Sequence, residues 1–213
     1  MSKPLTLMDY LSSTEIPASP EHSSGQWSSE NELSLKRQKQ KFNHMEISIN
    51  TLVLFGSVIF TGLSAGLFYG WSVSVLPGTL KVTDMVYLQT MQSINRAILN
   101  PAFFAVFFGS LALLGTSSVL QFDRNDMGFW LMLLAAACYL VGTIGLTGFG
   151  NVPLNNQLDA LVITDLSNTE LADFRQHYEV KWNRLQHARM ICSILAFGLA
   201  LASGFSYFKN SII

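Results

Sequence analysis

Charge is scarce in this sequence. Only 13% of its 213 residues are Asp, Glu, Lys or Arg, where soluble domains carry roughly a quarter. None falls between Glu46 and Lys81, Arg96 and Asp123, Asp126 and Asp159, or Arg189 and Lys209. Each gap can hold the roughly 20 apolar residues of a spanning helix. The expected fold is all-α, an integral membrane four-helix bundle with interfacial amphipathic helices, and the lipid bilayer is its first partner. A net charge of −1 gives no reason to expect nucleic acid as a partner.

Cysteines and metal-ligand spacings are also wanting. Cys138 and Cys192 both sit in apolar runs and read as small buried side chains rather than a disulfide or metal pair. His22 and His44 lie in or beside the polar N-terminal segment. His177 and His187 lack the i, i+3 or i, i+4 spacing of two ligands on one helix. No carboxylate lies within a span, which removes support for a di-iron site or a proton relay. Neither a nucleotide-binding glycine loop nor a nucleophile elbow is present. The expectation is no metal and no cofactor.

What is present divides the chain at residue 46. Residues 1–46 are polar, carry no apolar leader, and read as a disordered tail. Their basic cluster, Lys36, Arg37, Lys39 and Lys41, favours an N-terminus on the cytoplasmic side, with the cell membrane as location. Residues 47–213 form the membrane domain. Its first span, about 49–76, carries Gly62, Gly66 and Gly70 on one face, for packing inside the bundle or for a homodimer. Pro77-Gly78 is expected to end it. Residues 82–99 make an amphipathic helix, with Tyr87, Met91, Ile94 and Ile98 on its apolar stripe. Spans at about 102–120 and 129–149 follow. Ser167-x-x-Glu170 is a capping box that should open one long helix to about residue 207.

The stretch from Thr147 to Asn156 is the most unusual. It places Asn151, Asn155 and Asn156 around Pro153, with Gly148 and Gly150 to relax the backbone. A turn at the membrane edge is expected there. It reads as a structural bend or as one wall of a polar site. If each run crosses once, Gln92, Asn95 and Asn100 reach the same face, as does the junction from Trp182 to Arg189. In that junction Trp182, Gln186 and Arg189 share one helical face, while Asn183 and His187 share the next. Amides, a His and Arg thus converge on one mouth. An interfacial belt of caps and anchors is the plainer reading; a site is the sharper one.

Several motifs resemble a known family. They are the glycine stripe of the first span, Met91-Gln92-x-Ile94-Asn95 followed by Asn100-Pro101, Asn151-Val152-Pro153-Leu154-Asn155, and Trp182 with His187-x-Arg189. Together, over about residues 50–207, they resemble the anthrone oxygenase-like family of four-span membrane proteins. This chain has Gln186 where an Asn commonly precedes the His. The resemblance implies cofactor-independent oxidation of a flat apolar anthrone-type substrate by O2. It implies His187 as base, Arg189 with Asn151 or Asn155 as oxyanion donors, Trp182 as aromatic wall, and Gln92, Asn95, Asn100 and Gln186 along the polar rim. The rival expectation is a non-enzymatic scaffold or lipid-binding subunit, whose amides are spent on caps and interhelical bonds.

Overall fold

The structure is a computed structural model and describes residues 48–123 and 126–212. The expected tail, 1–46, lies outside the described residues. Among those residues there is helix throughout and no strand. Helix α1 (Ile49–Gly70) starts where the Ser48 hydroxyl accepts the Thr51 N–H over 3.2 Å. It continues through a π-helical turn, Trp71–Val75, into α2 (Leu76–Thr79). The amphipathic α3 (Asp84–Ala97) precedes α4 (Pro101–Gln121). Helix α5 (Asp126–Cys138) runs on through π-helical Tyr139–Gly145 and Thr147–Asn151 into α6 (Val152–Asp159). The last helix, α7 (Asn168–Ile212), spans 45 residues. Its capping box is in place: Ser167 N–H and hydroxyl both donate to Glu170 Oε2, at 2.8 and 2.7 Å.

Four helical runs are long and apolar enough to cross a membrane: Ile49–Thr79, Pro101–Gln121, Asp126–Asp159 and Asn168–Lys209. Their outward positions are apolar too. Phe55, Ile59, Leu63, Phe108, Trp130, Leu134, Val141, Ile191 and Leu195 are all exposed. Such a surface suits lipid rather than water. The chain is a multi-pass membrane protein built as an all-α bundle.

Two cores lie along it. The inner one gathers Leu54, Leu114, Met132, Ala135, Tyr139, Ala196 and Ala200. Here Tyr139 ties three helical runs together: its hydroxyl donates to the Phe107 carbonyl (3.1 Å) and accepts from Ser64 (2.8 Å). Gly142 faces Cys192, whose Cβ and Sγ fill the space that a side chain at 142 would occupy. Close approach of this kind replaces the hydrophobic drive that helices lack inside lipid. The second core lies at the mouth and joins α3, α6 and the first half of α7 through Tyr87, Leu88, Met91, Leu154, Leu158, Tyr178 and Trp182.

Arg175 fastens this mouth. It donates to the carbonyls of Val82 (2.8 Å) and Thr79 (3.1 Å), and to Asp84 Oδ1 (3.0 Å) and Glu179 Oε2 (2.8 Å). Its guanidinium also lies 4.4 Å over the Tyr87 ring. Burial, and next the Glu179 carboxylate, push the Tyr87 phenol well above its ordinary range, so it stays neutral.

Two expectations about prolines need correcting. Neither Pro77 nor Pro153 breaks its helix, and Asn151 sits at helical φ −68°, ψ −41° rather than in a turn. Both prolines stand two residues after a π-helical segment, which ends at Val75 in one case and Asn151 in the other. A π turn is one residue wider, so the carbonyl that would collide with the proline ring is displaced and the missing donor is absorbed. The glycine stripe is split as well. A side chain at Gly62 would meet Phe197 of α7 at 3.1 Å, whereas Gly66 and Gly70 meet no described atom within 4 Å.

Candidate functional site

A cavity of about 180 Å³ opens where the end of α1, α3, α6 and α7 meet. Phe68, Trp71, Ile94, Ile98, Phe103, Val152 and Trp182 give it mostly apolar walls. For scale, an apolar cavity of about 150 Å³ admits benzene. A larger planar ligand would extend from this one through its open side.

Trp182, Gln186 and Arg189 line the cavity together because they recur at i, i+4 and i+7 on α7. Arg189 is only 8% exposed. Its Nε donates to Gln186 Oε1 (2.7 Å) and its Nη1 to Thr147 Oγ1 (3.3 Å). The guanidinium stacks over the rings of Phe68 (4.8 Å) and Trp182 (5.1 Å). No carboxylate pairs with it among the described residues. Burying such a charge costs several kcal/mol, and neutral acceptors with cation–π contacts, worth about 2 kcal/mol each when desolvated, offset part of it. Gln186 is fully buried and spent: its Nε2 donates to the Phe68 carbonyl (2.9 Å) and Ser72 Oγ (3.2 Å).

Asn155 on α6 is held from two sides. Its Oδ1 accepts from Trp182 Nε1 (2.9 Å) and from the Tyr178 hydroxyl (3.1 Å). Tyr178 in turn accepts from Asn95 Nδ2 (3.1 Å). This chain of bonds joins α3, α6 and α7, the three segments expected to converge. It leaves the Asn155 amide N–H groups and Asn95 Oδ1 without partners among the described residues.

Other expected residues stand elsewhere. The side chain of His187 is exposed and outside the cavity, with Nδ1 2.7 Å from the Asn183 carbonyl. One residue is about 100° of helix rotation, so with Gln186 pointing inward His187 points away. Gln92 caps the end of α6, donating to the carbonyls of Leu158 (2.7 Å) and Leu161 (3.1 Å). Asn100 caps α4, accepting from Phe103 N–H (3.0 Å). Asn151 is 1% exposed, its side chain has no hydrogen-bond partner among the described residues, and it does not line the cavity, although Thr147 and Asn155, one turn either side, do. Sequence reasoning did not single out Tyr178. It also missed the rim pair of Arg96 with Asp159, 2.6 Å apart across 63 positions. Their opposite charges on facing amphipathic helices were the available signal.

Residues 102–199 match the family model described as Anthrone oxygenase. No curated protein and no solved structure matches the chain. The matched span begins in the first turn of α4 and includes Asn155, Trp182, Gln186 and Arg189. These four side chains share one cavity, so the cavity draws its charged and amide groups from the span that is similar to the anthrone oxygenase family.

Proposed function

We propose that this protein is a cofactor-independent oxygenase acting with O2 on a flat apolar anthrone-type substrate that reaches the cavity from the bilayer. One observation carries the reading: a buried guanidinium without a carboxylate partner opens into an aromatic-walled cavity beside a free amide donor.

Loss of a proton from the substrate's methylene carbon leaves an anion whose charge resides largely on the opposite carbonyl oxygen. Arg189 and the Asn155 N–H groups are the donors for that oxyanion, and a dry site makes such donors effective. Asp159, the carboxylate in the cavity lining, is the assigned proton acceptor, passing the proton to water at the rim. The carbanion gives one electron to O2, recombination forms a C–O bond to a peroxide anion, and that anion takes back one proton from water at the rim to become a hydroperoxide. Loss of the second methylene proton with O–O cleavage then yields the quinone carbonyl and water. The methylene carbon supplies all four electrons that O2 takes up. His187 has no part in this scheme, because it does not face the cavity.

The test is oxygen uptake and quinone formation by the purified protein with emodin anthrone, compared with Arg189→Gln. Uptake well above the spontaneous rate in the parent and near it in the variant is the expected result. Uptake no faster than buffer overturns the reading. The rival scaffold reading draws on Gln92, Asn100 and Gln186, all spent on caps or interhelical bonds. It gains if the cavity takes up no aromatic ligand.

A further inference from the structure

Arg189 is the last charged residue before Lys209 and is buried with only neutral partners among the described residues. At the cavity rim Arg96 and Asp159 cancel one another at 2.6 Å. The cavity therefore holds one uncompensated positive charge, in surroundings where water screens it poorly.

The free hydrogen-bonding groups in the wall point the same way. Gln186 has both ends committed. Asn155 has its oxygen committed, and chemistry settles which atom that is: an indole N–H can only donate, so the atom facing Trp182 Nε1 must be the carbonyl oxygen. What Asn155 has left is its NH2. Beside the guanidinium the site thus offers a second donor, while its acceptors are Asn95 Oδ1 on the α3 side, the Asn156 amide and the Asp159 carboxylate already paired with Arg96. A neutral ring system would leave the charge unmet. A lipid headgroup would meet it but would not use the aromatic faces of Phe68, Trp71, Phe103 and Trp182.

We propose that the cavity binds its ligand as a monoanion, an acidic planar aromatic ionised at a phenol, enol or carboxyl group, in preference to a neutral ring system of the same shape. The guanidinium is already desolvated and held by its stacking rings, so the anion gains its charge-assisted bonds with little rearrangement. This rests on the cavity being a ligand site, as above, and not on its carrying out oxygenation. It narrows the substrate class to aromatics acidic enough to ionise on binding.

The test uses two stable probes of matched shape, anthraquinone-2-carboxylate and anthraquinone-2-carboxamide. Neither retains a methylene carbon to oxidise, so binding is read apart from turnover. The full chain is placed in phosphatidylcholine nanodiscs, and quenching of indole fluorescence is followed, since Trp71 and Trp182 line the cavity. The carboxylate should bind at least about tenfold more tightly than the carboxamide. In Arg189→Gln the ratio should fall to about one while carboxamide affinity holds within about threefold. In Asn155→Asp, where Trp182 and Tyr178 still find an acceptor, the added negative charge should also remove the preference. Equal affinities in the parent overturn the proposal, with or without folded variants, as does a ratio that survives Arg189→Gln. Displacement of the carboxylate by short-chain phosphatidylglycerol, but not by short-chain phosphatidylcholine, would assign the charge to a lipid headgroup and overturn it too. Anion preference without oxygen uptake would sink the oxygenase reading alone; uptake without anion preference would sink this one alone.

Discussion

Trp182 Nε1 donates to Asn155 Oδ1 over 2.9 Å, and this bond sets which end of the Asn155 amide the cavity sees. The Tyr178 hydroxyl, 3.1 Å from the same oxygen, could rotate and accept instead; the indole cannot. Trp182→Phe keeps an aromatic wall but frees the amide to flip and turn its carbonyl toward Arg189. The expected cost is about 1 kcal/mol in stability and about tenfold or more in oxygen uptake with an anthrone. Tyr178→Phe leaves the orientation to Trp182 and should cost less in rate. Steady-state uptake by the two variants separates them, and a larger loss in Tyr178→Phe would contradict the orienting role of the indole.

This part of the site was legible in outline. Helical spacing put Trp182, Gln186 and Arg189 on one face, and counting crossings brought Asn95 and Asn155 to the same mouth. Three things were hidden. The polar types that line a cavity also cap helices, so nothing separated Gln92 and Asn100, which cap, from Asn95 and Asn155, which do not. Tyr178 shows in the sequence only its ring, while its hydroxyl links α3 to α6. Pro153 reads as a break because proline rules assume α-helical register, and the π-helical turn before it has no sequence signature of its own.

His187→Ala provides a clean negative. The His187 side chain is exposed, and its Nδ1, bonded at 2.7 Å to the Asn183 carbonyl, must carry the proton because a carbonyl only accepts. Removing it takes one exposed hydrogen bond and no cavity contact. Oxygen uptake should remain within about twofold of the parent, and stability within about 0.5 kcal/mol. A collapse of the rate with the fold intact would return the base to His187, and would require α7 to rotate during turnover.

Packing makes a separate claim at Gly142. A methyl group there meets both Cβ and Sγ of Cys192, and cores resist such overpacking by about 1–3 kcal/mol. Gly142→Ala should lower the thermal midpoint of the detergent-solubilised protein. Cys192→Ala should not rescue it, because the Cys192 Cβ remains. Gly66→Ala, with no described atom within 4 Å, is the control and should be near neutral in the monomer. Equal midpoints for the two glycine variants would mean that the π-helical segment Tyr139–Gly145 and α7 are farther apart than the structure places them.

Arg175 offers the strongest single-residue prediction for the mouth. Its side chain is 12% exposed, and so is that of Glu179 beneath it, so deleting the cation strands a largely buried carboxylate. Breaking a buried pair by removing one partner costs about 3–5 kcal/mol. Arg175 also holds the Thr79 and Val82 carbonyls and the Asp84 carboxylate, so the loss should concentrate in the connection between α2 and α3. Lys81 lies in that connection and is exposed. Arg175→Met is therefore expected to make Lys81 an early tryptic site while the membrane-buried core, around Leu114 and Ala196, stays folded by circular dichroism. Because α3 carries Asn95 and Ile94 into the cavity, ligand affinity should fall along with protease resistance. Arg175→Met with Glu179→Gln removes the stranded charge and should recover part of the stability, whereas the lost carbonyl contacts should keep Lys81 more labile than in the parent.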